Sequence, residues 1–246
     1  MKLKQLLAIA ATFACASVAH AQSAGSILLG AGWMHFAPQS SSDPLVVNSV
    51  NGATNVPGFT GPQAGSGASV DGADTLGLTA SYFFTDHIAT EFVFGIPPKF
   101  ELDGSGTLSP LGQLGTVKQY SPTLLLKYYF GQANATVRPY LGLGVSRVWF
   151  SDGTITNPGL SYQLTGGPGG TTSVTSIKSS WAPVFNGGLS YAFSKHWIAA
   201  LSVSYLPLST TAQFNSVNPV THVTTVSSAH ITLNPIVSYL SISYRF

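Results

Sequence analysis

Large apolar residues recur at alternate positions along this chain. Leu76, Leu78, Ala80, Tyr82 and Phe84 interleave with Thr75, Gly77, Thr79, Ser81 and Phe83. Leu124, Leu126, Tyr128 and Phe130 interleave with Thr123, Leu125, Lys127 and Tyr129, and Leu141, Leu143 and Val145 with Tyr140, Gly142, Gly144 and Ser146. The chain closes the same way: Leu240, Ile242, Tyr244 and Phe246 stand against Tyr239, Ser241, Ser243 and Arg245. A period of two is the signature of a strand. One greasy parity and one small or polar parity suit a wall with lipid outside and a lumen inside. The pattern predicts eight strands near 26–37, 73–84, 87–100, 119–130, 138–150, 181–193, 196–212 and 229–246. The connections 38–72, 101–118, 151–180 and 213–228 are long, whereas 85–86, 131–137 and 194–195 are short.

Long outer loops and short periplasmic turns are the habit of outer-membrane barrels, and an even strand count returns both termini to the periplasmic side. An open sheet in hydrocarbon would leave two edges of unpaired backbone, at several kcal/mol per group. The expected fold is therefore all-β, an eight-stranded antiparallel transmembrane β-barrel with the first strand sealed to the last. A soluble β-sandwich would need polar residues on the parity that here carries Leu, Ile, Tyr and Phe. The long connections, such as Gly58 to Gly72 and Thr165 to Ser176, carry Gly, Ser, Pro and Thr and read as loops rather than second domains.

Composition agrees with a lipid-facing wall. Charged residues are 7% and mean hydropathy is +0.27, against roughly 25% charge in an average soluble domain. Met1-Lys2-Leu3-Lys4, an apolar stretch from Leu6 to Ala19, and Ala19-His20-Ala21 predict a signal peptide over 1–21, cut before Gln22. That stretch falls short of the roughly 20 residues a membrane-anchoring helix needs. The remainder, 22–246, is read as the barrel. The one cysteine, Cys15, lies in the signal, so the barrel needs neither a disulfide nor a thiolate. Without Lys2 and Lys4, eight basic residues face eight acidic ones, which excludes the basic field a nucleic-acid binder needs.

Aromatic side chains gather where the two membrane interfaces should be. Tyr82, Phe84, Tyr128, Phe130, Tyr191, Phe193, Trp197 and Tyr244 lie toward the short turns; Trp149, Phe150, Trp181 and Tyr205 lie toward the long connections. Arg147 falls on the outward parity, where its place two residues from Trp149 lets it reach the outer interface.

Several strings resemble the outer-membrane protein W (OmpW) family. They are Leu76-Gly77-Leu78-Thr79 followed by Thr85-Asp86-His87-Ile88; Pro122-Thr123-Leu124 with Tyr128-Tyr129-Phe130-Gly131; Arg138-Pro139-Tyr140-Leu141-Gly142-Leu143-Gly144; and the terminal Tyr244-Arg245-Phe246. The resemblance runs in order along 22–246. It implies an eight-stranded outer-membrane barrel that passes small hydrophobic molecules through a narrow, largely uncharged lumen, with lateral release into the membrane. The implied surroundings are membrane lipid and outer-leaflet glycolipid; oligomeric state is left open. A structural or adhesive barrel, whose long loops bind external partners, is the alternative.

The residues add site hypotheses of their own. The inward parity is mostly Gly, Ser and Thr, which as a set argues for free space in a bore that side chains would otherwise fill. Glu91 and Lys127 both fall on that parity in strands that should be antiparallel neighbours, which predicts a cross-strand ion pair lining the lower lumen. It could plug the periplasmic end, or serve only as filler. Pro97-Pro98 removes two ladder donors from the third predicted strand, which marks either a strand end above the membrane or a lateral opening. Tyr244 and Phe246 end the chain on the outward parity, resembling the signal read by the barrel insertion machinery. His35, His87, His196, His222 and His230 have no nucleophile or carboxylate at motif spacing, so no enzyme, metal site or cofactor is expected.

Overall fold

The computed structural model describes residues 22–246, and the predicted signal peptide lies outside them. Eight strands form the wall: β1 Ile27–Ala37, β2 Ala73–Phe83, β3 Ile88–Gly95, β4 Thr123–Tyr129, β5 Val137–Ile155, β6 Ser180–Ala192, β7 Trp197–Tyr205 and β8 Ile236–Arg245. Each pairs antiparallel with its neighbours in chain order. The barrel closes where β1 meets β8, in register from Leu28 opposite Arg245 to Ala37 opposite Ile236. Phe246 N–H adds a last bond to Ile27 O at 3.0 Å.

The outward parity is exposed and apolar: Leu124, Leu126, Leu141, Leu143, Leu189, Leu201, Leu240 and Ile242 all lie on it, and Leu143 is 63% exposed. The inward parity is buried and polar, with Thr79, Ser81, Thr123, Ser146, Ser190, Ser202, Ser241 and Ser243. This inverts a soluble core, because the solvent outside is hydrocarbon and the ladders pair the backbone within the wall.

Two short turns share one chemistry. Thr85 Oγ1 accepts from the backbone of His87 and Ile88, and Ser194 Oγ accepts from that of His196 and Trp197. His87 Nδ1 donates to Tyr129 O at 2.9 Å, and His196 Nδ1 to Arg245 O at 3.2 Å. Each ring stacks on a girdle tyrosine, Tyr128 and Tyr244 respectively. These histidines staple turns to the neighbouring strand.

The long connections differ from the loop expectation. They hold nine further strands, among them Lys99–Gly106, Gln113–Tyr120, Thr171–Ile177, Ser209–Asn218 and Val223–Thr232, and one helix, α1, Pro158–Thr165. The 19 residues of β5 span about 60 Å at the strand rise, whereas about 9–11 tilted residues cross a membrane. The wall therefore continues above the membrane as a second storey, with α1 packed against its inner leucines. Asn157 caps α1 by accepting from Gly159 and Leu160 N–H. β-branched Thr and Val pair well here without the large apolar residues that mark a lipid-facing strand.

Candidate functional site

The lower lumen is packed. Lys127 Nζ lies 2.5 Å from Glu91 Oε1, with both side chains buried. In the register, Glu91 stands opposite Leu125 and Lys127 opposite Ala89, so the two meet diagonally. Ser81 Oγ donates to Glu91 Oε2 at 2.9 Å, and Lys127 sits 4.4 Å over the Tyr140 ring. Below them Arg138, 1% exposed, donates to the backbone carbonyls of Gln22 and Asp86, and lies over the Tyr129 ring. It ties the start of the described chain to a periplasmic turn. Arg138 shares the parity of Tyr140 and Gly142, which is the sequence signal for its place in the lumen.

The inward glycines do not leave the free space their size suggests. Added to Gly77, a Cβ would stand 2.7 Å from both Met34 Cε and the Tyr239 ring; added to Gly188, 2.6 Å from Tyr140 Oη. Small residues on one strand receive large ones from nearby strands, and Tyr140 stands directly opposite Gly188 in the β5–β6 register. Gly77→Val is expected to displace Met34 and Tyr239 and cost about 1–3 kcal/mol, measured as a lower urea midpoint for the barrel in detergent. An unchanged midpoint would show that these two side chains can move aside freely.

The wall breaks above this buried pair. β3 ends at Gly95, short of the predicted 100, and Lys99 opens a new strand. The β3–β4 ladder stops at Val93 opposite Thr123, and the next backbone bond across is Gln119 N–H to Pro98 O at 3.1 Å. On the other side Ile96 N–H still bonds Leu76 O, so the opening lies between β3 and β4 alone. Pro97, Pro98 and Pro122 border it and carry no N–H. A cavity of about 190 Å³ runs there, from Met34 and Phe36 on the lumen side to Ile96, Tyr120 and Trp149 outside. Pro207 and Pro235 interrupt β7 and β8 at a similar height, yet Leu206 N–H to Pro235 O and Leu233 N–H to Leu208 O hold that junction shut. Pro183 stays within its ladder, opposite Val145.

Tyr120 stacks on Trp149 with ring centroids 5.2 Å apart, and Arg147 lies over Trp181 while bonding Ser179. Such rings mark the outer membrane interface, so the break opens near that level. Phe150 departs from its expected girdle role and points inward.

Three further cavities stack above the break. A rim cavity of about 230 Å³ lies beside Leu108, Leu160 and Leu164; a constriction of about 40 Å³ shares those leucines; and an inner cavity of about 50 Å³ shares Leu102, Ile155, Phe214 and Ile231 with the constriction. Gln119 belongs to both the inner cavity and the wall gap. In these four linings Asp43 is the single charged residue. A void of about 150 Å³ accommodates a benzene-sized molecule. The two ends of the series thus have room for a small solute, and the middle opens only if side chains such as Leu164, Phe214 or Phe150 turn. Other charges decorate the solvent face of the upper storey: Lys118 bonds Asp152 at 2.9 Å, which raises the lysine's pKa. Burial, Asp71 and Glu101 raise that of Asp103.

Comparison with known proteins places this architecture. The OmpW family model matches residues 23–246. The chain belongs to the OmpW family. It is 30% identical to outer membrane protein W of Vibrio cholerae serotype O1 over 98% of this chain and 97% of that protein. The crystal structure of the outer membrane protein OprG from Pseudomonas aeruginosa superposes with a TM-score of 0.75 at 28% identity, covering 93% of this chain and 99% of that one. A dibenzothiophene metabolism operon protein, PahQ of Pseudomonas aeruginosa, is 26% identical over 73% of this chain and 76% of its own length. As an OmpW-family barrel, the protein resides in the bacterial outer membrane.

Proposed function

We propose that this OmpW-family barrel carries small hydrophobic molecules from the loop side through its apolar upper storey and releases them sideways into the membrane between β3 and β4. The observation that carries this reading is the series of four cavities ending at the Pro97-Pro98 break. The relative named for dibenzothiophene metabolism supports hydrophobic cargo. In this reading the Glu91–Lys127 pair and Arg138 close the periplasmic end, because a hydrocarbon solute gains nothing by entering a bore lined with desolvated charge. The exit into lipid then lies downhill.

Uptake of dibenzothiophene by cells lacking the gene, with and without the protein restored, tests the proposal. Restored cells should take it up faster, and purified barrels in planar bilayers should conduct ions poorly. Equal uptake would overturn the reading and favour the adhesive alternative, for which Phe59, Tyr162 and Val220, all exposed, would supply rim contacts.

Two further proposals concern maturation. The export signal over 1–21 would leave Gln22 first. Tyr244 and Phe246 would serve as the signal for the insertion machinery, beyond their packing together at 5.0 Å. Deleting Phe246 is expected to lower the amount of heat-modifiable barrel in outer-membrane fractions; wild-type amounts would leave Phe246 a girdle residue only.

A further inference from the structure

The inner cavity and the wall gap share one polar side chain. Gln119 is 3% exposed and lies on the wall of each. Its backbone N–H, bonded to Pro98 O, fixes it on the rim of the break. Its side chain has no such anchor, for Nε2 is buried without a hydrogen-bond partner. Buried polar groups are nearly always paired, so an unpaired amide on a route of apolar cavities requires an explanation.

Neighbouring groups do not provide one. Val117, Phe100 and Phe150 around it in the inner cavity carry no acceptor side chain. The hydroxyls of the same lining are engaged elsewhere: Thr116 with Thr154, and Thr210 with Lys178 O. A trapped water needs two to four polar partners, more than the inner cavity offers with its hydroxyls already engaged. The partner that fits is an acceptor oxygen arriving on the solute itself. A carboxylate is excluded, because its charge would be stripped of water among apolar walls with no counter-ion. An uncharged carbonyl meets the donor without that penalty.

We propose that Gln119 is a specificity-determining residue, whose side-chain amide hydrogen-bonds the carbonyl oxygen of a ketone or ester as the solute turns from the lumen into the wall gap. The barrel then favours carbonyl-bearing hydrophobic molecules over hydrocarbons of equal length. This rests on the transport reading and names the solute class within it. One uncharged hydrogen bond corresponds to a preference of about three- to tenfold.

Uptake of 2-undecanone and of undecane by cells carrying no barrel, the wild-type barrel or Gln119→Leu tests this. In the leucine variant the ketone-to-alkane uptake ratio should fall about three- to tenfold relative to wild type. An unchanged ratio, or an equal fall for both solutes, would overturn the proposal. Wild-type uptake no greater than that of cells without the barrel would remove the transport reading and this proposal with it. If the leucine variant fails to fold, the wild-type barrel provides a second readout. The infrared carbonyl stretch of labelled 2-undecanone should move to lower frequency on binding, relative to detergent alone, and no movement would overturn the assignment.

Discussion

Replacing Pro97 and Pro98 together with valine is expected to lower barrel-dependent uptake of a hydrophobic solute on the order of tenfold, through restored strand pairing. Donors alternate along a strand, so one of the two new N–H groups, that of residue 98, would face the backbone carbonyl of Gln119, beside the existing Gln119 N–H to Pro98 O bond. Closing a bond there is favoured more strongly than in water, because the alternative is an unpaired group beside lipid. The Val93–Thr123 ladder would extend upward toward the Gln119–Pro98 bond and shut the cavity between them. Whole-cell uptake, normalised to heat-modifiable barrel, is the measurement. Undiminished uptake by a normally assembled variant would take the gate out of the account. The valines leave the lower ladder of β3 untouched, so assembly should be preserved.

The second large effect concerns the plug. Lys127→Met leaves Glu91 buried without its cation, and removing one member of such a pair costs about 3–5 kcal/mol. Ser81 would still donate to the carboxylate, but a neutral hydroxyl does not replace an ammonium. The double variant Glu91→Leu with Lys127→Met should recover most of the loss, since apolar replacement of a whole buried pair is often neutral. Urea unfolding in detergent micelles measures both. If Lys127→Met proved no less stable than wild type, the pair would be solvated rather than buried, and its role as a plug would fail with it.

Much of this was legible along the chain because a lipid-facing strand has little choice. Leu141, Leu143 and Val145 must be apolar on one side, and their neighbours Gly142, Gly144 and Ser146 must be small or polar on the other. Parity therefore reveals the wall and its closure, and it placed Glu91 and Lys127 in one lumen. The break at Pro97-Pro98 was visible too, because proline announces a missing donor. Its meaning was not: Pro207 and Pro235 carry the same signal, yet their junction is sewn shut by Leu206 and Leu233.

The upper storey was hidden. Thr171–Ile177 and Val223–Thr232 are strands whose Thr and Ser content matches a loop, since no lipid demands large apolar side chains there. The filling of the bore was hidden for a different reason. Gly77 and Gly188 looked like vacancies because their occupants, Tyr239 and Tyr140, arrive from other strands. By itself, then, the sequence determined the membrane wall, its strand count and its inward charges, through local alternation imposed by the solvent on each face. Only the tertiary structure decided which prolines leave the ladder unpaired, which glycines are filled, and that Gln119 lies between two cavities, because each depends on residues brought together from distant parts of the chain.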